Sequence, residues 1–463
     1  MVLQSYLKAK AMEEQSRKAV ANDRLAIYHD DWDGILETIL SSQFHPTNYS
    51  KIRLLKNTSQ NILRKVVDDV SVVYKVAPTR DYGENPVMDE IYGYLDIDEF
   101  MKQVNQYAFL CKDLLLRVGW DAELKKITLD INTPANTSII QRDNYPQQAA
   151  AVYYEIEYID DQFKVEKRYI FWSDFEHFVF VEKEISKGGG VTFLAEAPAE
   201  DNPNMENPYG KLPFVVLHMK PLPGMFWNTS SGNDLVQCTT TTGFKRTMVD
   251  YLFKHASFKQ PVITADDADK IPKDLLMDPL TAWGLTGNAT ATLLDFSAAF
   301  DELDRKIQSD INSVLATYGL SVDMFTISPN EASGKALQVK NRGLQEIREA
   351  QLPVFRRVEQ ELFELIKLVY NTYNKNGIPK ELEFKIDFAE LEAYQDPMEE
   401  RKQAQWDVEK GIMSPAQFYM AFNPDITDEA EAEKKLSENL AKYKEMKNQG
   451  FSFDQFTNTD NVE

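Results

Sequence analysis

The chain has 463 residues, 43% of them hydrophobic, with 19 glycines and 20 prolines, which excludes a disordered protein and leaves room for two or more folded modules. Its 73 acidic against 51 basic residues give a formal net charge of −22, which argues against a protein that grips nucleic acid over a wide face, since such binders cluster Lys and Arg. The same charge fits a surface kept acidic for solubility, and equally a wall past which a polyanion slides without being held.

Residues 1–112 read as mostly helical. A charged opening helix is followed by one over 57–74, with Ile62, Val66, Val70 and Val73 at helical spacing, and by another over 97–112. Pro78 and Gly83 break the pattern between these two. From Leu114 the texture turns β-branched and aromatic, with strands expected over 126–131, 149–159, 163–171 and 176–181, and Gly188-Gly189-Gly190 as a hairpin loop. This sheet-rich module closes with a Pro/Asn/Gly loop over 197–211 and a last strand over 212–218.

Helical pattern returns over 234–257 and again over 297–318, where Leu303, Ile307, Ile311 and Leu315 stand four apart. Between them, 258–297 is a compact insertion with strand-like 261–264 and 291–296 around a loop rich in Asp, Pro and Gly. After a short loop over 319–330 comes the longest periodic segment, 331–375, carrying Leu344, Ile347, Phe355, Val358, Leu362, Ile366 and Val369. Its roughly 45 positions would reach about 65 Å at 1.5 Å per residue. Pro353 should kink or split it, because proline removes a backbone donor and clashes with the preceding turn.

A strand over 382–388 precedes a helical C-terminus with legible caps. Gly411 closes one helix, Ser414-Pro415-Ala416-Gln417 opens the next, Thr427 before Asp428-Glu429 starts the last, and 449–463 reads as a loose tail.

Reaction chemistry finds no purchase. Gly334-Lys335 is followed by Ala336 and lacks the upstream glycine of a phosphate-cradling loop. His29, His45, His177, His218 and His255 show no metal-ligand spacing, and no GxSxG elbow marks a nucleophile. The Thr239–Thr242 run has no activating base beside it and reads as helix packing. Cys111 and Cys238 are remote in sequence and read as reduced core residues. The N-terminus mixes Lys8, Lys10, Glu13 and Glu14, and no apolar run approaches the ~18 residues of a membrane span. The expectation is a non-enzymatic protein without cofactor or metal, made in a cytoplasm, with no membrane partner.

Glu331-Ala332-Ser333-Gly334-Lys335-Ala336-Leu337, followed by a long helix with Arg342 and Gly343 early in it, resembles the E-x-S-G-x-A-L motif of tailed-bacteriophage portal proteins, the head-to-tail connectors. The motif lies behind a helix–insertion–helix unit and ahead of the 382–388 strand, an Asp396-Pro397 helix and Gly411-Ile412-Met413-Ser414, an order that also resembles the family. The 57–74 helix ending near Ala77-Pro78, and Asn207-Pro208-Tyr209-Gly210-Lys211-Leu212-Pro213, match it further upstream. The likeness covers nearly the whole chain. One departure is the lack of a long C-terminal extension found in some relatives, so an extended barrel is not expected.

The resemblance implies an α+β, mainly helical portal-type fold and a homo-oligomeric ring of about twelve subunits with heterologous contacts. The ring would sit at the capsid vertex of the virion, a channel for double-stranded DNA packaging and ejection without sequence specificity. Residues 1–230 would form the wing, 231–257 and 298–318 the stem, and 258–297 an α/β clip that meets packaging motor and tail adaptor. Residues 319–330 would be the tunnel loop, 331–395 the long kinked helix and a wing strand, and 396–463 the crown and tail. Implied partners are further copies of the chain, the terminase large subunit, the head-tail adaptor, and the major capsid and scaffolding proteins. Ser321, Val322, Asp323, Met324, Phe325 and Thr326 would touch the duplex nonspecifically, or form a plain connector. Lys335, Lys340 and Arg342 are candidate channel cations, with a solvated helix face the equal alternative. A head-completion adaptor is a second virion ring but is usually much shorter. An enzyme of phage DNA metabolism would hydrolyse ATP or cut DNA alone, and lose that on a single carboxylate substitution.

Overall fold

A computed structural model describes residues 2–448 apart from 160–164, 185–191, 199–203, 258–259, 265–289, 295–299, 321–333, 375–376, 390–396, 424–425 and 427. The chain is α+β and mainly helical, and divides into two compact units, residues 1–328 with 342–391 and residues 329–341 with 392–463.

The larger unit opens with α1 (Val2–Tyr28), α2 (Asp33–Gln43), α3 (Pro46–Ile52) and α4 (Ile62–Val70). Helix α4 is shorter than the 57–74 expected from periodicity. Asn57 Oδ1 accepts from the Ser59 amide and hydroxyl, a local turn that competes with helix, and Asn61 Oδ1 then caps the Arg64 amide. Its apolar face, Ile62, Leu63, Val66, Val67 and Val70, is fully buried. Helix α5 (Pro86–Leu95) was not anticipated, although Asn85 caps Val87 and Met88 and Pro86 opens the first turn. Helix α6 (Ile97–Cys111) follows and ends on Lys112 in the left-handed region, at φ +70°.

Two antiparallel sheets form the β module. One is three-stranded, ordered β3 (Lys126–Asn132), β2 (Asp113–Asp121), β9 (Phe214–His218). The other is a meander of β4 (Thr137–Arg142), β5 (Tyr145–Ile159), β6 (Val165–Ser173), β7 (His177–Glu184) and β8 (Thr192–Ala197). Strand β2 is buried on both faces, and its period of two divides its side chains. Leu114, Leu116 and Val118 join the helical core, while Leu115 joins a second cluster with Val152, Tyr154, Trp172, Phe226 and Trp227. Strands β7 and β8 pair antiparallel on either side of the glycine run, which lies outside the described residues.

Next come α7 (Asn233–Ser257), the antiparallel ribbon β10 (Gln260–Thr264) with β11 (Thr290–Leu294), and α8 (Phe300–Thr317). Helix α9 (Gly334–Tyr373) is 40 residues long and runs unbroken across Pro353, so the proline does not split it. Within the larger unit, Phe355, Val358, Leu362, Ile366 and Val369 are buried in the main core, and Leu344 and Ile347 pack against it half-buried. The short strand β1 (Thr79–Asp81) pairs with β12 (Lys385–Asp387), tying the N-terminal layer to the chain beyond α9.

The smaller unit carries α10 (Pro397–Glu409), α11 (Pro415–Ala421) and α12 (Glu429–Asn448) around a small core of Ala416, Ile426 and Ala432. Gly411 (φ +74°) lets the Ile412 amide return to the Asp407 carbonyl. The Ser414 hydroxyl and Gln417 side chain each take the other's backbone amide at 3.0 Å, the expected reciprocal cap. The last helix opens on Asp428, whose Oδ1 accepts from the Ala430 amide. Thr427 lies outside the described residues.

Candidate functional site

The segment that carries the chemistry of interest is the hairpin of α7, the ribbon and α8, with the chain that leads from it into α9. Helix α7 begins welded to the N-terminal helices through threonine hydroxyls. Thr239 Oγ1 donates to the Leu235 carbonyl and accepts the Leu63 amide at 2.9 Å, supplying one of the donors that the first turn of α4 cannot satisfy internally. Thr247 Oγ1 does the same between the Gly243 carbonyl and the Asn57 amide. Both hydroxyls are buried and each both donates and accepts; of the 239–242 run, Thr239, Thr240 and Thr242 are buried. Gly243 allows the approach: a Cβ there would lie 2.8 Å from the Trp32 ring and 3.1 Å from the Asn57 carbonyl.

Helix α8 returns along α7 by burying Ile307, Ile311 and Leu315, while Leu303, the first of the four-residue repeat, is 37% exposed. Lys245 of α7 reaches Asp310 at 2.6 Å, Lys306 reaches the same carboxylate at 2.6 Å, and Arg246 lies 3.3 Å from Asp304. Hydrogen bonds from Lys245 and Lys306 hold the Asp310 carboxyl below its ordinary range. From Gln308 to Thr317 this is the one charge on α8, and it is paired; the side chains outward of the buried stripe are Ser309, Asn312, Ser313, Ala316 and Thr317. At the ribbon end Leu252, Leu303 and Val262 are exposed and Phe253 is edge-on to Phe300, among the exposed charges Lys254, Asp301, Glu302 and Arg305.

At the other end of α8 the Tyr318 hydroxyl donates to Asp234 at 2.7 Å, and burial followed by this bond raises the phenol. Gly319 (φ +66°) then turns the chain, and its carbonyl would lie 2.8 Å from a Cβ on Gly343. These two glycines cross backbone against backbone where the segment leaves α8 and returns in α9. Gly343 was singled out with the motif; its contact with Gly319 was not legible, because nothing in the intervening sequence says that its ends meet.

Ser321, Val322, Asp323, Met324, Phe325 and Thr326 lie outside the described residues, as do Glu331 and Ser333. Gly334, Ala336 and Leu337 open α9. Lys335, Lys340 and Arg342 lie on its helical backbone, with their side chains outside the described residues. Cys111 and Cys238 are buried and unpaired as disulfides, and burial pushes the Cys111 thiol up to about 12, so it is a neutral packing group. Among the described residues no group of three His, Cys, Asp or Glu side chains is placed to hold a metal, and no helix is long and apolar enough to cross a membrane.

No family model and no curated protein matches the chain. Solved structures to which it is similar include the neck of a native gene transfer agent (GTA) particle computed with C12 symmetry, at TM-score 0.44 and 11% identity over 82% of this chain and 94% of that one. The neck of an empty GTA particle computed with C6 symmetry gives TM-score 0.42 and 12% identity over 76% and 86%. The virion of a native GTA particle gives 0.40 and 9% over 81% and 94%.

Proposed function

We propose that the chain is a portal-type subunit, a non-enzymatic element of a ring through which double-stranded DNA is packaged into and ejected from a phage-like capsid. The observation that carries this reading is an order of parts: a ribbon-tipped helical hairpin, a Gly319–Gly343 crossing, the Glu331–Leu337 motif and a 40-residue helix. In this reading α7 and α8 are the stem and the ribbon is the clip that meets terminase and the head-tail adaptor. Residues 319–330 form the tunnel loop, α9 runs from channel to wing, and α10–α12 form the crown.

The ribbon's chemistry supports self-assembly. A two-stranded antiparallel pair is marginal alone, and among the described residues β10 and β11 pair only with each other, leaving each an outer edge for a neighbouring subunit. Exposed Val262 and Leu252 supply apolar area beside those edges. The chain's acidity suits a conduit, because a wall that neutralised many phosphates would hold the duplex.

Light scattering on the purified full chain tests this. Assembly near twelve times the 53.2 kDa subunit mass is expected, and Val262→Asp at the ribbon should lower the assembled fraction while leaving the monomer folded. ATP hydrolysis or DNA cleavage by the protein alone, lost on one carboxylate substitution, would instead favour an enzyme.

A further inference from the structure

Within the larger unit a cavity of about 620 Å³ opens between the end of α6, the end of β9, the entry to α7, the last turn of α8 and α9. Its wall is apolar at Phe109, Met219, Ile347 and Val354. Into this wall the fold sets Lys112, which is 7% exposed, sits at φ +70° as the cap of α6, and holds its ammonium 3.8 Å from the Phe109 ring centroid. Both features are unusual for lysine, since a left-handed cap favours glycine and a buried ammonium wants a carboxylate.

Neither neighbouring carboxylate forms an ion pair with it, although Asp234 lines the same cavity and acts on it through space. Asp113 faces His218 Nδ1 at 2.7 Å and accepts the Asn228 amide, and Asp234 accepts the Tyr318 hydroxyl. Among the described residues no ion pair reaches the Lys112 ammonium, which lies over the face of Phe109. A second buried cation, Arg24, stands in the same field and bonds two neutral oxygens, the Thr229 carbonyl and Asn233 Oδ1. Gly232, at φ +94°, makes room for the lysine, because a Cβ there would lie 3.3 Å from Lys112 Cε. On the opposite wall Gln351 Oε1 accepts from Asn105, which leaves the Gln351 amide nitrogen as a further donor.

We propose that this cavity binds a small amphiphilic anion, its acidic group on the Lys112 ammonium and its apolar body against Phe109, Met219 and Val354. A concave site of this size, apolar on one part of its wall and with a few convergent donors, has the dimensions of a small-molecule pocket. Burial, reinforced by Arg24 and Lys220 and opposed by Asp234, pushes the amine down to about 8. An anion seated there would raise the amine again and hold its charge to higher pH. This inference does not depend on the portal reading.

The test is a fluorescence titration of the full chain with 1-anilinonaphthalene-8-sulfonate, displaced by hexanoate or by inorganic phosphate. One saturable site is expected, weakened at least tenfold in Lys112→Met, retained in Lys112→Arg, and displaced by hexanoate better than by phosphate. Affinity should also fall as pH rises above about 8, where the lysine loses its charge. Unchanged binding in Lys112→Met, or an affinity flat from neutral pH to well above that value, would overturn the proposal; phosphate displacing better than hexanoate would overturn the apolar body. Should Lys112→Met fail to fold, Ala350→Trp on the α9 wall fills the same cavity from an exposed position, and binding that survived it would be equally fatal.

Discussion

Glu359 lies fully buried in the middle of α9, beside the buried stripe of Phe355, Val358, Leu362 and Ile366, and it is there because Arg80 comes to meet it. The guanidinium donates to both carboxylate oxygens, at 2.7 and 3.0 Å, and Tyr74 donates to one of them at 2.9 Å. Burial alone would lower the Arg80 value; the bonds and charges of Glu359 and Asp98 more than reverse that and raise it. Such a pair adds little over a packed hydrophobe, but losing one partner strands a charge in the core. Arg80→Met should therefore destabilise the larger unit by about 3–5 kcal/mol in chemical denaturation, and Arg80→Met with Glu359→Leu should recover most of it. Lys112 makes the opposite prediction. Its amine titrates near the ordinary 10.5 when unfolded but about 8 when folded, so the folded state binds fewer protons between those values. The penalty of burying the charge is fully present below about pH 8, and stability rises as pH climbs toward 10.5, by at most about 3 kcal/mol. Cys111 works against this above pH 9, since its folded thiol keeps its proton to about 12. The quantity to measure is thus the wild-type stability minus that of Lys112→Met across pH 7 to 10, and a flat difference would contradict the assignment.

At the scale of the element, close backbone approaches decide geometry that side-chain volume cannot. Gly343→Ala puts a methyl 2.8 Å from the Gly319 carbonyl, a backbone atom that cannot swing away. A cost of about 1–3 kcal/mol is expected, with altered protease sensitivity of the segment between α8 and α9. Pro353 has no amide to give the carbonyl four residues back, so α9, although unbroken, should bend there, and Pro353→Ala should change the direction of its axis. An unchanged axis in the variant structure would contradict the bend. The hairpin, the ribbon, the long helix and the Ser414 cap were all legible in the sequence, because each follows from local periodicity or from one capping residue. Helix α5 was overlooked although Asn85-Pro86 announced it, and α4 was drawn too long because the Asn57 turn competes with helix there. What the sequence could not convey was tertiary: the Arg80–Glu359 pair is 279 residues apart, and the wall around Lys112 is assembled from five separate segments. A buried charge reads as a surface charge until its partner is known.

At the scale of the whole molecule, the proposed portal-type role would make the larger unit a scaffold for the α7–α8 hairpin. The α7–α8 pair is fastened at its base by Thr239, Thr247 and Gly243, and exposes Leu252, Leu303 and Val262 among charged side chains at its ribbon end. That division of labour suits a subunit whose base belongs to its own core and whose tip belongs to a neighbour. Deleting residues 321–328 should leave assembly intact while impairing packaging or retention of DNA, measured by nuclease protection of packaged genomes; loss of assembly would make the segment an assembly element instead. Negative-stain electron microscopy of the purified full chain, averaged in two dimensions, is expected to give rings of about twelve subunits around an open channel. Compact single subunits with no central hole would contradict the portal-type role.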